Sequence, residues 1–166
     1  ELSARHKEIL SYILEKINMP YNINIVIPAF QPDETLIRIV DELINRGFSK
    51  IIAVNDGSDL EKDYIFQAIK NKGVTVLNHQ VNLGKGEALK TAFRYIINNS
   101  DVNSIVTVDA DGQHLIEDIC KVCNSTKDDP FMLYLGVRAF NSSVPFRSLL
   151  GNLITKCLFA LSAKKW

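Results

Sequence analysis

The chain has 166 residues, of which 46% are hydrophobic and 23% charged, a size and composition sufficient for one buried core. Its 19 basic and 19 acidic side chains cancel, which argues against a nucleic-acid partner held by a long-range positive field. No apolar run reaches the roughly 18 residues that a membrane-spanning helix requires. Function is therefore expected to depend on local sites.

The first element in chain order is an amphipathic stretch over residues 3–17, with apolar residues at helical spacing. We treat residues 1–22 as an N-terminal helical extension and residues 23–166 as one domain. From residue 23 onward, short β-branched runs alternate with amphipathic stretches, which predicts an α/β fold with a mainly parallel sheet flanked by helices. The predicted strands cover residues 23–28, 50–55, 74–78 and 104–109.

Two of the helices are predicted from apolar residues that recur with the period of an α-helix. They cover residues 36–44 and 88–97. The pair Pro32–Asp33 favours the start of the first helix, and Gly47 and Gly73 stand where a left-handed residue is expected after a helix.

Polar loops follow the predicted strands, at the carboxyl ends where sheets of this class bind ligands. They read PAF after the first strand, NDGS after the second, NLGKG after the third and DADGQH after the fourth. We expect these loops to converge at one edge of the sheet.

Asp109 and Asp111, in the fourth loop, are candidate ligands of a metal ion. Hard divalent cations prefer carboxylate oxygens, and alternate residues leaving a strand can both reach one ion. The same pair could instead cap the following helix. Its position after a Val-rich strand, facing three other polar loops, favours a metal that holds a diphosphate.

The second and third loops offer a carboxylate and a lysine. Asp56 can accept hydrogen bonds from a ribose or a base edge, with a helix cap as the alternative. Lys85, between Gly84 and Gly86, opens a helix, where an anion is favoured. A kinase-type P-loop is disfavoured, because Leu89 stands where its second glycine is required.

Arginines in the last third of the chain are further candidates. Arg138 follows an apolar run, and Arg147 lies at the expected start of the last helix. Each guanidinium could bind a phosphate with two hydrogen bonds or could simply be solvated.

The cysteines indicate the compartment. Cys120, Cys123 and Cys157 are odd in number and lack the spacing of a disulfide framework, which favours a reducing, cytoplasmic location. The first two have the C-x-x-C spacing of a zinc site, but a second ligand pair is missing and His114 is the only nearby candidate. A structural role is the favoured interpretation.

Five segments in this order, IVIPAF, IIAVNDGS, NLGKGEALKTAF, VDADGQH and LGVRAF, resemble family-2 glycosyltransferases. The chain is most similar to the branch that makes polyprenyl-phosphate sugars. The resemblance implies a GT-A, Rossmann-like fold. Because members of that branch carry an acceptor segment beyond the position of Trp166, the domain is expected to be incomplete at its C-terminus.

The resemblance also implies roles by motif position. Asp109 and Asp111 would be the catalytic residues, and together with Gln113 they would hold Mg²⁺ or Mn²⁺. Contacts with the phosphates and the acceptor would come from Arg138, Arg147 and Ser148. Pro28, Ala29 and Asp56 would surround the nucleoside. With Gly57, Lys85 and Asp109 added, these are the residues that we predict to bind the nucleotide.

The implied reaction is attack by an acceptor oxygen on the anomeric carbon of a UDP- or GDP-sugar, with inversion. The metal would neutralise charge on the departing diphosphate. The acceptor would be a polyprenyl phosphate at the cytoplasmic face of a membrane, used for the cell envelope. Its phosphate has a second pKa near ~6 and is therefore largely ionised at neutral pH. A protein base is then unnecessary, and none of His6, His79 and His114 is a persuasive one.

Two other functions compete with this one. A non-catalytic module would bind a nucleotide sugar without transferring it. A nucleotidyltransferase is disfavoured, because it should have a glycine-rich, basic loop after the first strand and residues 29–32 read AFQP.

Overall fold

A computed structural model of the protein describes residues 21–99, 104–125 and 132–136. The chain divides into two compact units, Glu1–Tyr134 and Leu135–Trp166, and every element described below lies in the first. Its strands are β1 (Tyr21–Ala29), β2 (Phe48–Asp56), β3 (Thr75–His79) and β4 (Ile105–Thr107). Its helices are α1 (Thr35–Asn45), α2 (Asp63–Lys70), α3 (Lys85–Asn99) and α4 (Ile116–Ser125), and a 3₁₀ turn, Leu60–Lys62, precedes α2.

The strands form one parallel sheet in the order β3-β2-β1-β4. Parallel neighbours need a crossover, and here a helix makes each of them. The chain first builds outward from β1 to β3 and then returns to add β4 on the other side of β1. This reversal creates a switch point beside β1, where α/β sheets place their ligands. The predicted α/β fold of the GT-A, Rossmann-like type is confirmed.

The central strand β1 alternates between two hydrophobic cores, as the two-residue period of a strand requires. Ile25 and Ile27 are fully buried in the core that contains the apolar faces of α1, α2 and α4. Val26 belongs to the core on the opposite face. There the contacts from α3 come from its most deeply buried residues, Ala88, Ala92 and Ile96.

The fourth strand is shorter than the sequence predicts. Val108 still donates its N–H to the carbonyl of Val26, at 2.9 Å. Successive N–H groups of a strand point to opposite sides, so the N–H of Asp109 faces away from β1, and it is donated to the Nδ1 atom of His114 at 3.2 Å. The last residue of β4 paired with β1 is Thr107, two residues before the DADGQH loop.

The apolar pattern predicted the buried face of each helix correctly, except for one residue at the edge of that face in each helix. Ile44 is 37% exposed and Ile97 67% exposed, although both continue the apolar pattern of their helices. They lie one position beyond the row of residues that faces the sheet. Gly47 and Gly73 have φ angles of +87° and +91°, the left-handed conformation predicted after α1 and α2.

The apolar run that precedes Arg138 is described only over residues 132–136, which form no helix or strand. Leu133 is 84% exposed and Leu135 is 74% exposed. The N-terminal extension that we predict over residues 1–22 lies almost wholly outside the described residues. Among the helices that the structure describes, none has both the length and the apolar character needed to cross a bilayer.

Candidate functional site

The loops at the carboxyl edge of the sheet converge on one cleft of about 420 Å³. Six of the residues predicted to form the site line it together: Pro28, Ala29, Asp56, Lys85, Asp109 and Asp111. Phe30, Gln31, Pro32, Asp33, Asn82, Gly84 and Ala110 complete its wall. The cleft therefore combines carboxylates and a lysine with an apolar floor, as expected for a site that binds a polar ligand.

Asp56 is the most constrained side chain of the cleft. It ends β2, and its side chain is only 4% exposed. Its Oδ1 atom accepts the N–H of Leu83 at 2.9 Å, and its Oδ2 atom accepts the N–H of Gly84, also at 2.9 Å. The carboxylate thus holds the turn that leads into α3, a tertiary form of the helix-cap role considered from the sequence.

These contacts control the ionisation of Asp56. Burial alone would raise its pKa, but the N–H groups of Leu83 and Gly84 and the ring of His79 lower it by more. The pKa of Asp56 therefore lies below the ordinary value for an aspartate. The side chain enters any reaction at neutral pH as a fixed anion.

Gly57, directly after Asp56, lies against the neighbouring loop. Its φ angle is +71°, and a Cβ atom added there would collide with the backbone of Val81 and Asn82. A side chain at this position would therefore force the two loops apart. The glycine is required so that the loop after β2 can touch the loop after β3.

The loop after β1 is tied to the same region. Asn55 accepts the N–H of Ser58 at 2.9 Å, and the hydroxyl of Ser58 accepts the N–H of Gln31 at 3.0 Å. Gln31 has a φ angle of +49°, which among the described residues is unique for a non-glycine. Such a conformation is held only where the surroundings impose it, and it often marks a binding site.

Lys85 and Asp109 face each other across the cleft. The Nζ atom of Lys85 lies 2.5 Å from the Oδ1 atom of Asp109, and the two side chains are 59% and 37% exposed. Exposed ion pairs contribute about 0–1 kcal/mol, so this contact is easily exchanged for another. Lys85 is the first residue of α3, where the helix dipole also favours an anion.

Asp111 is exposed, and its Oδ1 atom accepts the backbone N–H of Gln113 at 2.9 Å. Gln113, which the resemblance adds to the metal ligands, therefore contacts Asp111 but does not line the cleft. Among the contacts of the described residues, the Oδ2 atoms of Asp109 and Asp111 accept no hydrogen bond. Within the described part of the chain, each aspartate thus has one carboxylate oxygen that a cation could bind.

The donor set fits Mg²⁺ or Mn²⁺ better than zinc. No group of three or more His, Cys, Asp or Glu side chains arranged to hold a metal occurs among the residues that the structure describes. Mg²⁺ does not require one, because it commonly binds one or two carboxylates and completes its shell with water and substrate phosphates. Asp109 and Asp111 offer such a pair.

The model of glycosyl transferase family 2 matches residues 24–161, most of the chain. The chain belongs to this family. The match starts within β1 and takes in every strand and helix described above. The family predicted from the five sequence segments is therefore confirmed.

Individual relatives of this family-2 glycosyltransferase agree with the predicted branch. A UDP-N-acetylglucosamine–dolichyl-phosphate N-acetylglucosaminyltransferase of Methanococcus voltae is 29% identical over 153 residues, which cover 79% of this chain and 59% of the relative. A dolichyl-phosphate beta-glucosyltransferase of Trichomonas vaginalis is 29% identical over 108 residues, covering 58% of this chain and 32% of the relative.

An uncharacterized protein of Methanocaldococcus jannaschii is 29% identical over 150 residues, covering 84% of this chain and 60% of its own length. The chain thus spans about three fifths of the length of this relative and of the Methanococcus voltae transferase.

Several predicted residues of the glycosyltransferase lie outside the described residues. These are the phosphate and acceptor candidates Arg138, Arg147 and Ser148, together with Cys157. The other two cysteines lie on α4, where Cys123 is fully buried in the core and Cys120 packs against it. The ring of His114 accepts the N–H of Asp109, so it is engaged in the turn after β4.

Of the residues at the site that were not predicted to belong to it, Phe30 and His79 bear most on its chemistry. Phe30 lines the cleft with half of its surface exposed. His79, which was considered only as a base, ends β3 and contacts Asp56. An aromatic residue just after the first strand was a usable signal for Phe30. No local signal marked His79, because its partner is 23 residues away in the sequence.

Proposed function

We propose that the chain binds a UDP-sugar in the cleft and transfers the sugar, with inversion, to a lipid phosphate such as dolichyl phosphate. The observation that carries the proposal is the pairing of one buried acceptor, Asp56, with two open carboxylates, Asp109 and Asp111, on the same cleft. Asp56 is suited to accept a hydrogen bond from the edge of a base, and Asp109 and Asp111 are suited to a metal-bound diphosphate. The name of the Methanococcus voltae relative supports the choice of uridine, and the names of both the Methanococcus voltae and the Trichomonas vaginalis relatives support a dolichyl phosphate acceptor.

On the nucleoside side, Asp56 accepts a ring N–H of the base, and the exposed ring of Phe30 offers a face for stacking. Pro28 and Ala29 form the floor beneath them, and Gly57 lets the neighbouring loop approach. UDP should be preferred to CDP, because cytosine has an acceptor where uracil has a ring N–H.

On the diphosphate side, Asp109 and Asp111, with Gln113 beside them, would hold a Mg²⁺ or Mn²⁺ ion. Bound there, the ion would supply Lewis-acid stabilisation of the leaving group. Lys85 exchanges Asp109 for a phosphate oxygen when the donor binds. Arg138, Arg147 and Ser148 remain the predicted contacts for the phosphates and the acceptor.

In the transfer, an oxygen of the acceptor phosphate attacks the anomeric carbon, and the bond from that carbon to the diphosphate breaks. The electron pair leaves with UDP. No side chain has to remove a proton, because the acceptor is already ionised near neutral pH. The two described histidines agree with this, since His79 and His114 both hold structural hydrogen bonds. A lipid acceptor would place the enzyme at the cytoplasmic face of a membrane.

Binding is tested by calorimetric titration with UDP, GDP and their N-acetylglucosamine and mannose adducts, with and without Mn²⁺. We expect UDP to bind in a Mn²⁺-dependent manner and Asp111→Ala to weaken that binding about 10–100-fold. The matched control is Asp118→Ala, an exposed aspartate on α4 that pairs with Lys121 and does not line the cleft. Equal affinity for UDP with and without Mn²⁺, unchanged in Asp111→Ala, would contradict the metal assignment.

Transfer is tested separately, with radiolabelled UDP-N-acetylglucosamine and dolichyl phosphate in detergent. Labelled lipid formed by the wild type and not by Asp111→Ala supports the transferase. Metal-dependent UDP binding without labelled lipid would favour the non-catalytic nucleotide-sugar-binding module instead.

A further inference from the structure

His79 lies beside Asp56 because their strands are paired in register. Asp56 is the last residue of β2, His79 is the last residue of β3, and the two are direct partners across the ladder. The Nδ1 atom of His79 lies 2.7 Å from the Oδ1 atom of Asp56. The side chains are 8% and 4% exposed. This contact is therefore shielded from water, unlike the pair of Lys85 and Asp109.

The other ring nitrogen of His79 is also engaged. Its Nε2 atom lies 2.9 Å from the hydroxyl oxygen of Thr91, in the second turn of α3. Because the ionised carboxylate of Asp56 can only accept, Nδ1 must carry the proton of that hydrogen bond. Because both ring nitrogens form hydrogen bonds, the ring has one fixed orientation. It links Asp56, at the end of β2, to Thr91 in α3.

The hydrogen bonds of Asp56 leave room for one ligand. Its Oδ1 atom accepts two hydrogen bonds, from Leu83 and His79, and fills its two acceptor positions. Its Oδ2 atom accepts one from within the described part of the chain, from Gly84. Since Asp56 also lines the cleft, one acceptor position remains for a donor that enters it.

We infer that His79 and Thr91 are a positioning pair that fixes the carboxylate of Asp56 so that its remaining acceptor position selects a base with a ring N–H. The inference rests on the proposed function, because it concerns how the uridine side of that site achieves selectivity. The N–H groups of Leu83 and Gly84 hold the carboxylate from one direction only, the loop before α3. The bond from His79 ties it to β3 and to α3.

The test is the ratio of the dissociation constants for CDP and UDP, measured by calorimetry with Mn²⁺ in wild type and variants. We expect wild type to prefer UDP by about 10–100-fold, the effect of one hydrogen bond to a charged group. His79→Ala should bring the ratio close to one. His79→Asn, whose amide can still donate to Asp56, should recover part of it. Inorganic pyrophosphate with Mn²⁺ should bind all variants equally, which a general loss of structure would not allow.

Thr91→Val provides a second, gentler variant, since it removes the hydroxyl with little change of shape. It should lower the ratio about 2–5-fold, and it carries the test if His79→Ala does not fold. A wild-type ratio retained in folded His79→Ala or in Thr91→Val would overturn the inference while leaving the proposed function intact. Failure of the wild type to bind UDP would overturn both.

Discussion

The two halves of the cleft are built differently. The half around Asp56 is buried, and each of its polar groups is held by backbone or side-chain partners. The half around Asp109 and Asp111 is exposed, and its main tie is the ion pair with Lys85. One half therefore exists in its final form before a ligand arrives, and the other must exchange its partners when one does.

The difference agrees with the separate tasks proposed for the two halves. Recognition of a base requires fixed acceptors, because a mobile group forms hydrogen bonds with several bases about equally. Binding of a metal diphosphate requires carboxylates that can leave their present partners at little cost. Stability measurements can test this contrast without any ligand.

The largest effect is expected at the contact between the loops of the buried half. Gly57→Ala should lower the free energy of unfolding by about 2–4 kcal/mol, because the new Cβ meets backbone and the φ angle is left-handed. Gly84→Ala is the matched control, since its φ angle is +89° but nothing lies within 4 Å of an added Cβ. Urea unfolding of both measures the difference. Equal losses would mean that the loops are not in fixed contact.

A smaller effect is expected from neutralising one aspartate in each half. Asp56→Asn should cost about 1–3 kcal/mol, because an amide cannot accept at both positions and at least one of the N–H groups of Leu83, Gly84 and His79 loses its acceptor. Asp109→Asn should cost less than about 1 kcal/mol. Thermal unfolding at pH 7 compares them. A larger loss for Asp109→Asn would reverse the assignment of the rigid and open halves.

The acid dependence of stability should show the same contrast. The pKa of Asp56 is depressed in the folded state, so its contribution is complete above the unfolded value of about 3.9 and is lost as the pH falls through the folded value. Wild type should therefore lose stability below about pH 4, and Asp56→Asn should flatten that part of the curve. Asp33→Asn is the control, because the pKa of that exposed carboxyl is also lowered but without burial. The idea fails if Asp33→Asn flattens the curve more.

The smallest effect on stability is expected at Lys85. Lys85→Ala should change the free energy of unfolding by about 0.5 kcal/mol or less and should tighten Mn²⁺ binding in the absence of nucleotide, because Asp109 loses its competitor. Lys90→Ala is a matched control, since Lys90 is also 59% exposed on α3 but pairs with Glu87. Weaker Mn²⁺ binding in Lys85→Ala alone would show that Lys85 supports the cation site rather than blocking it.

The sequence predicted the parts of the fold that depend on neighbouring residues. The four strands and the centres of two helices followed from period, and the loops that meet at the cleft followed from the rule that parallel strands share an edge. Asp109 and Asp111 were found in this way. The end of β4 was misplaced, because the apolar run continues through Val108 whereas the residues paired with β1 end at Thr107.

The sequence could not show what holds the nucleoside half together. Asp56 contacts Leu83 and Gly84 over separations of 27 and 28 residues, and no period or spacing encodes such a contact. The sequence therefore left two roles open for Asp56, a contact with the ligand and a helix cap. In the structure Asp56 accepts the N–H groups before α3, as a cap would, and also lines the cleft. His79 was judged by its chemistry as a base, although its position opposite Asp56 depends on the register of β2 and β3.

That register has a consequence for folding. β3 is the outermost strand on its side of the described sheet and is only partly buried, so it is expected to open to solvent more readily than the central strands β1 and β2. When it separates from β2, His79 leaves Asp56 and the acceptor loses its orientation. A nucleotide that requires this acceptor binds only molecules in which β3 is paired with β2. Binding therefore shifts the equilibrium toward the paired state of β3. The donor substrate would thus hold this edge of the sheet closed and would slow amide hydrogen exchange along β3.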